Sequence, residues 1–341
     1  MEDVSQGKER GDPLELRKTK ILKSSPLLLA FGSSPRPNPT ISKICFLRTS
    51  LKIGYLAFSM QRSKLLVIIG PTASGKSDLA VKLARKFNGE IISADSRQVY
   101  KGLDIGSGKI TKKEMMGIPH HLLDIVSPRR RFTVAQYQKL ARKKIEQIFR
   151  RGKIPFLVGG SPFYIYSVVD GIVIPEVEPN YELRAQLEKL NVAQLYAKLK
   201  KLDPRRAQTI EKKNPRRLIR ALEIVLTTKR PVSEFKKSTP LFALFLIGLK
   251  KSQKDLKGLI HRRLLKRLRQ GMIEEVKRLK ESGLSWKRLE EFGLEYRFVA
   301  QYLQGKISRQ ETIDFIQKET EHFARRQMTW FKKDKRINWI S

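Results

Sequence analysis

The stretch that decides the fold is "GPTASGKS", residues 70–77. It matches the pattern G-x-x-x-x-G-K-[ST], in which a glycine-rich loop holds a phosphate with its backbone N–H groups. An apolar run, Leu65 to Ile69, precedes it, and a helical pattern, Asp78 to Phe87, follows it. The motif needs this strand–loop–helix context, because the loop amides and the helix N-terminus together attract an anion. We therefore predict a phosphate-binding loop made of Gly70, Pro71, Thr72, Ala73, Ser74, Gly75, Lys76 and Ser77.

Charge is the most unusual feature of the composition. The chain has 341 residues, of which 71 are Lys or Arg and 33 are Asp or Glu, so its formal net charge is +38. Such an excess favours a polyanionic partner, nucleic acid before membrane, although solvated helix faces in a basic proteome would give the same count. The single cysteine, Cys45, excludes a disulfide framework and a Cys-based zinc site, so we expect a reducing, cytoplasmic location. No apolar stretch reaches the length of a membrane span.

Strand-like runs alternate with amphipathic helical runs after the first 59 residues. The runs at 90–95, 153–160 and 241–249 read as strands, and 133–152 reads as a helix. This alternation predicts an α/β fold, a parallel sheet of the P-loop NTPase type flanked by helices on both faces. Strand signals vanish from about residue 176 to 237, which predicts a helical insertion. The expected division is 60–175 and 239–341 for the two parts of the core, with 176–238 as the helical insertion domain.

Residues 1–59 lack a sustained hydrophobic period and are punctuated by Pro, Ser and Gly. We expect a disordered leader or a wrongly assigned start, with Met60 as the true one. The acidic residues Glu2, Asp3 and Glu9 oppose a transit peptide, which is normally poor in acids. Beyond Leu249, long helices keep one apolar face, and their other face is crowded with Arg and Lys.

Three polar residues carry the expected chemistry. Lys76 would reach the terminal phosphates and Ser77 would ligate Mg²⁺. Asp95 follows the second strand, and parallel sheets place ligands at the carboxyl ends of their strands, so Asp95 could bind Mg²⁺ or act as a base. No apolar run ends in the aspartate of a kinase-type magnesium site, since the strand at 153–160 ends in Gly159, Gly160 and then Ser161. Those glycines would let a ligand approach the backbone.

Six motifs then resemble those of one particular family. In order, they are "GPTASGKS", "ISADSRQVYKGLDIGSGK", "PHHLLDIV", "VGGSPFY", "NPRRLIRALEI" and "RRQMTWFK". Together they resemble the bacterial-type tRNA dimethylallyltransferases from Ser63 to the last residue. The resemblance implies that the loop holds the diphosphate of dimethylallyl diphosphate, with Mg²⁺ as cofactor. It also implies that the prenyl group passes to N6 of the adenosine next to the tRNA anticodon, and we expect a monomer.

The resemblance also assigns roles to single residues. Asp95 would be the base that takes the proton from N6, with Lys76 and Ser161 as further catalytic residues, although the family usually has Thr where Ser161 stands. Ser77 and Asp95 would be the metal ligands. The implied tRNA contacts are Asp95, Ser96, Arg97, Gln98, Ser161, Arg184, Arg216, Arg217, Leu218, Ile219, Arg220, Phe292, Gly293, Leu294, Glu295, Tyr296, Arg297, Arg325, Arg326, Gln327, Met328, Thr329, Trp330, Phe331 and Lys332.

Two other classes of function stay open at this point. A P-loop kinase for a nucleoside or small molecule agrees with the loop, but the missing aspartate and the large positive charge oppose it. A non-catalytic RNA-binding protein with a decayed loop is opposed by the intact Lys76, Ser77 and Asp95. His120 and His121 have no metal-ligand spacing and are expected to be turn residues.

Overall fold

A six-stranded, all-parallel sheet forms the centre of the chain. The computed structural model describes residues 64–341 except 173, 176 and 233–241, so the expectations for residues 1–59 lie outside the described part. The strand order is β3-β2-β4-β1-β5-β6, and every neighbouring pair is parallel. The predicted α/β class and P-loop-like sheet are confirmed. The strands are β1 (Lys64–Ile69), β2 (Gly89–Ala94), β3 (His120–His121), β4 (Ile154–Gly159), β5 (Ala243–Leu249) and β6 (Ile337–Ile340).

Helices follow most of the strands, and many of them begin at residues with known capping chemistry. Thr133 and Gln136 form a reciprocal capping box at the start of the long helix after β3, and Pro residues open several others. The described helices are α1 (Lys76–Lys86), α2 (Lys112–Met115), α3 (Val134–Arg150), α4 (Pro162–Val169), α5 (Tyr181–Glu188), α6 (Val192–Leu202), α7 (Pro204–Thr209), α8 (Pro215–Thr228), α9 (Gln253–Arg269), α10 (Met272–Glu281), α11 (Trp286–Glu291), α12 (Leu294–Leu303) and α13 (Arg309–Phe331).

The two faces of the sheet carry different helices, because side chains alternate along each strand. Val67 and Ile69 of β1 belong to a core that contains residues of α3 and α4, whereas Leu66 and Ile68 belong to a core that contains residues of α1. The expected burial of both faces is therefore confirmed. Among the described helices, none is both long and apolar enough to cross a membrane.

Helices α5–α8 pack around a separate apolar cluster. Leu187, Leu195, Leu199, Leu218 and Leu222 are buried in this cluster, none of whose members is a strand residue. This is the segment for which the sequence predicts a helical insertion. Its position between α4 and β5 means that the chain leaves the sheet after α4 and returns to it at β5.

One local expectation differs from the structure. His120 and His121 are not turn residues, because they pair with Ile91 and Ile92 as the short strand β3. The pattern beyond Leu249 forms helices, as expected, and α9 and α10 are separated at Gly271, whose φ of 92° lies in the left-handed region that ends helices.

Candidate functional site

The phosphate loop joins β1 to α1 and has the backbone needed to point amides inward. Ala73 and Gly75 both have positive φ, 61° and 88°, and Lys76 begins α1 directly afterwards. A side chain at Gly70 would meet Ser74 Oγ at 2.8 Å and the carbonyl oxygen of Leu249 at 3.0 Å, so only glycine fits there. The side chain of Lys76 folds over the loop, and its Nζ donates to the carbonyl oxygen of Pro71 at 3.2 Å. The loop is therefore shaped to bind an anion.

Lys76 lies in a strongly cationic environment. Burial lowers its pKa from 10.5 to about 8, with the cations of Arg263 and Arg267 acting in the same direction and Asp95 in the opposite one. A lysine held at such a pKa gains much from a neighbouring anion, because the anion restores the charged form. The electrostatics thus match a ligand that brings several negative charges.

Arg263 and Arg267 were not predicted from the sequence. Arg263 donates to Thr72 Oγ1 and to the carbonyl oxygen of Gly108, both at 3.4 Å, and burial lowers its pKa to about 10. Arg267 donates to the carbonyl oxygen of Gly106 at 3.1 Å and to Glu295 Oε1 at 2.6 Å. Their spacing was the sequence signal that could have found them. Arg263 and Arg267 lie with Ile260 and Leu264 at positions i, i+3, i+4 and i+7, on one face of α9. Arg263 thus adds a buried cation beside the phosphate loop, whereas Arg267 is already paired with Glu295.

Three strand ends form one row beside this loop. Ile69, the last residue of β1, is in register with Gly159 of β4, which is in register with Ala94 of β2. Neighbouring strands lie about 4.8 Å apart. The residues that follow, namely the phosphate loop, Gly160–Ser161 and Asp95, are therefore brought together at the carboxyl edge of the sheet, as sequence reasoning expected.

Asp95 and Ser161 are joined through the backbone of the loop after β2. Asp95 Oδ1 accepts the N–H groups of Arg97 at 2.8 Å and Gln98 at 3.4 Å. Ser161 Oγ accepts the N–H of Ser96 at 3.2 Å. Asp95 and Ser161 are both partly exposed, so their polar atoms are held in place while they still face solvent.

The glycines before Ser161 make room for protein groups rather than for a ligand. A side chain at Gly159 would lie 2.2 Å from the carbonyl oxygen of Ala94, and one at Gly160 would lie 2.4 Å from Nε2 of Gln327. Gln327, in α13, is buried and bridges two loops. Its Oε1 accepts the N–H of Thr72 at 2.9 Å, and its Nε2 donates to the carbonyl oxygen of Gly160 at 2.5 Å.

Comparison with known proteins identifies the family. Residues 98–334 match the family model described as IPP transferase. The chain is 43% identical to the tRNA dimethylallyltransferase of Carboxydothermus hydrogenoformans over 81% of this chain and 91% of that protein. A second tRNA dimethylallyltransferase, from Caldanaerobacter subterraneus, is 42% identical over the same shares. The chain belongs to the IPP transferase family.

Solved structures of IPP transferases agree with this assignment. The tRNA isopentenylpyrophosphate transferase of Bacillus halodurans is 38% identical with a TM-score of 0.61, and the match covers 82% of this chain and 89% of that one. A eukaryotic dimethylallyltransferase, captured in crystallographic snapshots acting on tRNA, is 27% identical with a TM-score of 0.69. That match covers 82% of this chain and 73% of the eukaryotic one.

In this IPP transferase, the arginines expected to contact RNA from the insertion differ in their surroundings. Arg184 donates from Nε and Nη2 to the buried carboxylate of Glu223 at 2.9 and 2.8 Å, and Arg220 donates to it at 2.6 Å. Both guanidinium groups thus hold the insertion together. Arg216 and Arg217 are exposed, and Arg217 pairs with the exposed Glu211 at 3.1 Å. Within this set, Arg216 and Arg217 have the surroundings of surface contacts.

Several other predicted RNA contacts have buried side chains. Their burial gives them packing or bridging roles, because a buried side chain presents no surface to a large ligand. The buried ones are Leu218, Ile219, Phe292, Glu295, Tyr296, Gln327 and Phe331. The exposed or partly exposed ones are Ser96, Arg97, Gln98, Gly293, Leu294, Arg297, Arg325, Arg326, Met328, Thr329, Trp330 and Lys332.

Proposed function

We propose that this IPP transferase moves a dimethylallyl group from dimethylallyl diphosphate to N6 of the adenosine 3′ to the anticodon of a tRNA. The products would be N6-(dimethylallyl)adenosine and diphosphate. One observation carries the proposal: the phosphate loop, Asp95 and Ser161 follow three strand ends that share one register. A donor held by its diphosphate and an acceptor held by a base can therefore meet at one edge of the sheet.

The cationic loop accounts for the departure of the diphosphate. Cleavage of the carbon–oxygen bond leaves additional negative charge on the diphosphate oxygen. Lys76, Arg263 and the loop amides would stabilise this charge, and their burial would strengthen each interaction. These groups are fixed before the ligand arrives, since Lys76 and Arg263 already contact the loop itself.

The geometry of the second loop supports Asp95 as the base. An exocyclic amine is a weak nucleophile, so a nearby group must accept its proton as the new bond forms. Asp95 has one oxygen held by two backbone amides, which fixes the orientation of the carboxylate. Ser161 would help to position the donor oxygen or the base. The adenosine must leave the stack of the anticodon loop to reach them.

Mg²⁺ fits this site as a partner of the diphosphate. Magnesium usually keeps several waters and binds one or two protein oxygens plus phosphate oxygens, so it needs no cluster of carboxylates. Among the described residues, no group of three or more His, Cys, Asp or Glu could hold a metal. The exposed hydroxyl of Ser77 and the carboxylate of Asp95 would hold the ion, which would neutralise diphosphate charge.

The comparisons do not favour the kinase alternative, and a single experiment separates the two. The protein is incubated with unmodified tRNA, dimethylallyl diphosphate and Mg²⁺, and the nucleosides are analysed by mass spectrometry. We expect N6-(dimethylallyl)adenosine without ATP and none after chelation with EDTA. Transfer that requires ATP hydrolysis would refute the proposal. Size-exclusion chromatography tests the expected monomer.

A further inference from the structure

A groove of about 390 Å³ lies outside the site described above, between the end of the loop after β3 and the start of α3. We call it the 125–140 groove, and its main lining side chains are Ile125, Arg130, Arg131, Phe132, Lys139 and Leu140. Ile125 and Leu140 are each 38% exposed, which is high for large apolar residues. The groove therefore combines apolar side chains with three cations.

Two of these cations are unengaged within the described part of the chain. Neither the guanidinium of Arg130 nor the ammonium of Lys139 has a hydrogen-bond or ion-pair partner among the described residues. This differs from Arg184 and Arg220, whose donors are directed to Glu223. Arg131 pairs with Glu291 at 2.9 Å and also lies 5.6 Å from the ring centroid of Tyr181, the first residue of α5. Free cations at a concave surface indicate an anionic ligand.

The loop that carries Arg130 and Arg131 is fixed by other residues, and Lys139 lies on α3. Arg288, in α11, donates to the carbonyl oxygens of Pro128 at 2.8 Å and Arg130 at 2.7 Å. Arg129 donates to the carbonyl oxygen of Ser282, which ties the same loop to the end of α10. A loop fixed in this way loses little conformational freedom when it binds a ligand.

The groove is continuous with the loop that carries the proposed base. Asp124 donates its backbone N–H to the carbonyl oxygen of Gln98 at 3.2 Å, and Ile125 and Val126 donate to that of Val99 at 2.9 and 3.0 Å. The wall of the groove is thus hydrogen-bonded to the residues that directly follow Asp95–Arg97. A nucleic acid strand whose adenosine enters at Asp95 would have its neighbouring nucleotides within reach of this wall.

We propose that the 125–140 groove binds RNA adjacent to the modified adenosine, with Arg130 and Lys139 on phosphates and the apolar side chains against an unstacked base. The proposal rests on the proposed function for the identity of the RNA. Its chemistry follows the general rule that RNA loops are held by cations on the backbone and by apolar or aromatic contacts with splayed bases.

Salt-dependent binding tests this proposal directly. An unmodified tRNA transcript is titrated with wild-type protein, Arg130→Gln, Lys139→Gln and the double variant at several salt concentrations. Each lost phosphate contact should reduce the slope of log affinity against log salt by about 0.7 to 0.9, and affinity should fall about threefold to tenfold per substitution. The kcat/KM for tRNA should fall by the same factors.

Lys82→Gln is the matched control, because it removes one exposed positive charge from α1, which packs on the opposite face of the sheet. It should keep the wild-type salt slope. The proposal is overturned if the double variant binds tRNA like Lys82→Gln. Binding is measured without prenyl donor, so a reduced slope would support the groove even if no prenyl transfer occurred, and an unchanged slope would exclude it even if transfer did.

Discussion

Gln327 donates from its side-chain amide to the carbonyl oxygen of Gly160, and the same side chain accepts the N–H of Thr72. One residue of the last long helix thus sets the spacing between the phosphate loop and the loop of Ser161. Sequence resemblance had placed Gln327 among the tRNA contacts. Its burial and its two hydrogen bonds give it a positioning role for the two loops.

Gln327→Met keeps the size of the side chain and removes both hydrogen bonds. We expect a loss of about 1–3 kcal/mol in the free energy of unfolding, because a buried amide and carbonyl lose their partner. Single-turnover transfer should slow while tRNA affinity stays near wild type. Gln310→Met, at an exposed position of the same helix, is the control. Equal transfer rates in the two variants would contradict the positioning role.

Asp95→Asn should slow prenyl transfer by about 10²- to 10⁴-fold, the usual effect of removing a general base. This variant should preserve the local backbone structure, because an amide oxygen can still accept the N–H groups of Arg97 and Gln98 that Asp95 accepts. Single-turnover rates and tRNA binding constants are measured together. Transfer at the wild-type rate would show that another group takes the proton.

Ser161→Ala should slow transfer about 2- to 13-fold, which corresponds to one hydrogen bond of about 0.5–1.5 kcal/mol. The substitution removes the oxygen that accepts the N–H of Ser96, so the loop after Asp95 loses an anchor. Ser161→Thr restores a hydroxyl and the family's usual residue, so it should keep at least the wild-type rate. A Thr variant as slow as the Ala variant would exclude the hydroxyl as the cause.

The affinity for diphosphate should fall as the pH rises through about 8. Lys76 has its pKa lowered to about 8 by burial and by Arg263, so the unliganded site loses a positive charge above that pH. Isothermal titration with inorganic diphosphate between about pH 7 and 9 measures the effect. Lys76→Arg stays protonated throughout, so the pH dependence that remains in this variant belongs to the ligand. Identical profiles would rule out Lys76 as the titrating group.

Glu223→Gln should destabilise the helical insertion by about 2–4 kcal/mol, because it leaves two arginines without their buried carboxylate. Burial raises the pKa of Glu223, but hydrogen bonds from Arg184 and Arg220 outweigh it and lower the pKa below its usual value. The stability from this group is therefore present above the ordinary carboxyl pKa and is lost as the pH falls through the lowered one.

Denaturant unfolding of Glu223→Gln at neutral and acidic pH checks both statements. The difference from wild type should shrink as the pH falls. Glu211→Gln removes an exposed partner of Arg217 and should change stability by less than about 0.5 kcal/mol. A Glu223 variant no less stable than the Glu211 variant would show that the buried cluster contributes nothing.

The sequence was sufficient to predict the features that depend on local residue patterns. The phosphate loop was predictable because its spacing is fixed by backbone chemistry, and β1, β2, β4 and β5 were predictable because buried parallel strands are continuous apolar runs. β3 has only two residues, both histidines, and its stability comes from pairing with Ile91 and Ile92. No local signal predicts such a strand.

The site residues in the loops after the strands were predictable. The site residues far along the chain from the phosphate loop were less so. Asp95 and Ser161 could be placed because parallel strands end at one edge. Arg263 and Arg267 could not be singled out, since a basic helix normally keeps its charges in water. The role of Gln327 depends on two tertiary contacts, to Thr72 and to Gly160, that only the folded chain brings about.

The bridge from Gln327 to the phosphate loop also has a consequence for the order in which the protein becomes active. Thr72 and Gln327 are separated by 255 positions. Chains are synthesised from the N-terminus, so the strands that carry Asp95 and Ser161 emerge well before α13 does. During its own synthesis, the protein therefore exposes a phosphate loop that lacks the hydrogen bond from Thr72 to Gln327. The site acquires its final spacing only when the last long helix has left the ribosome.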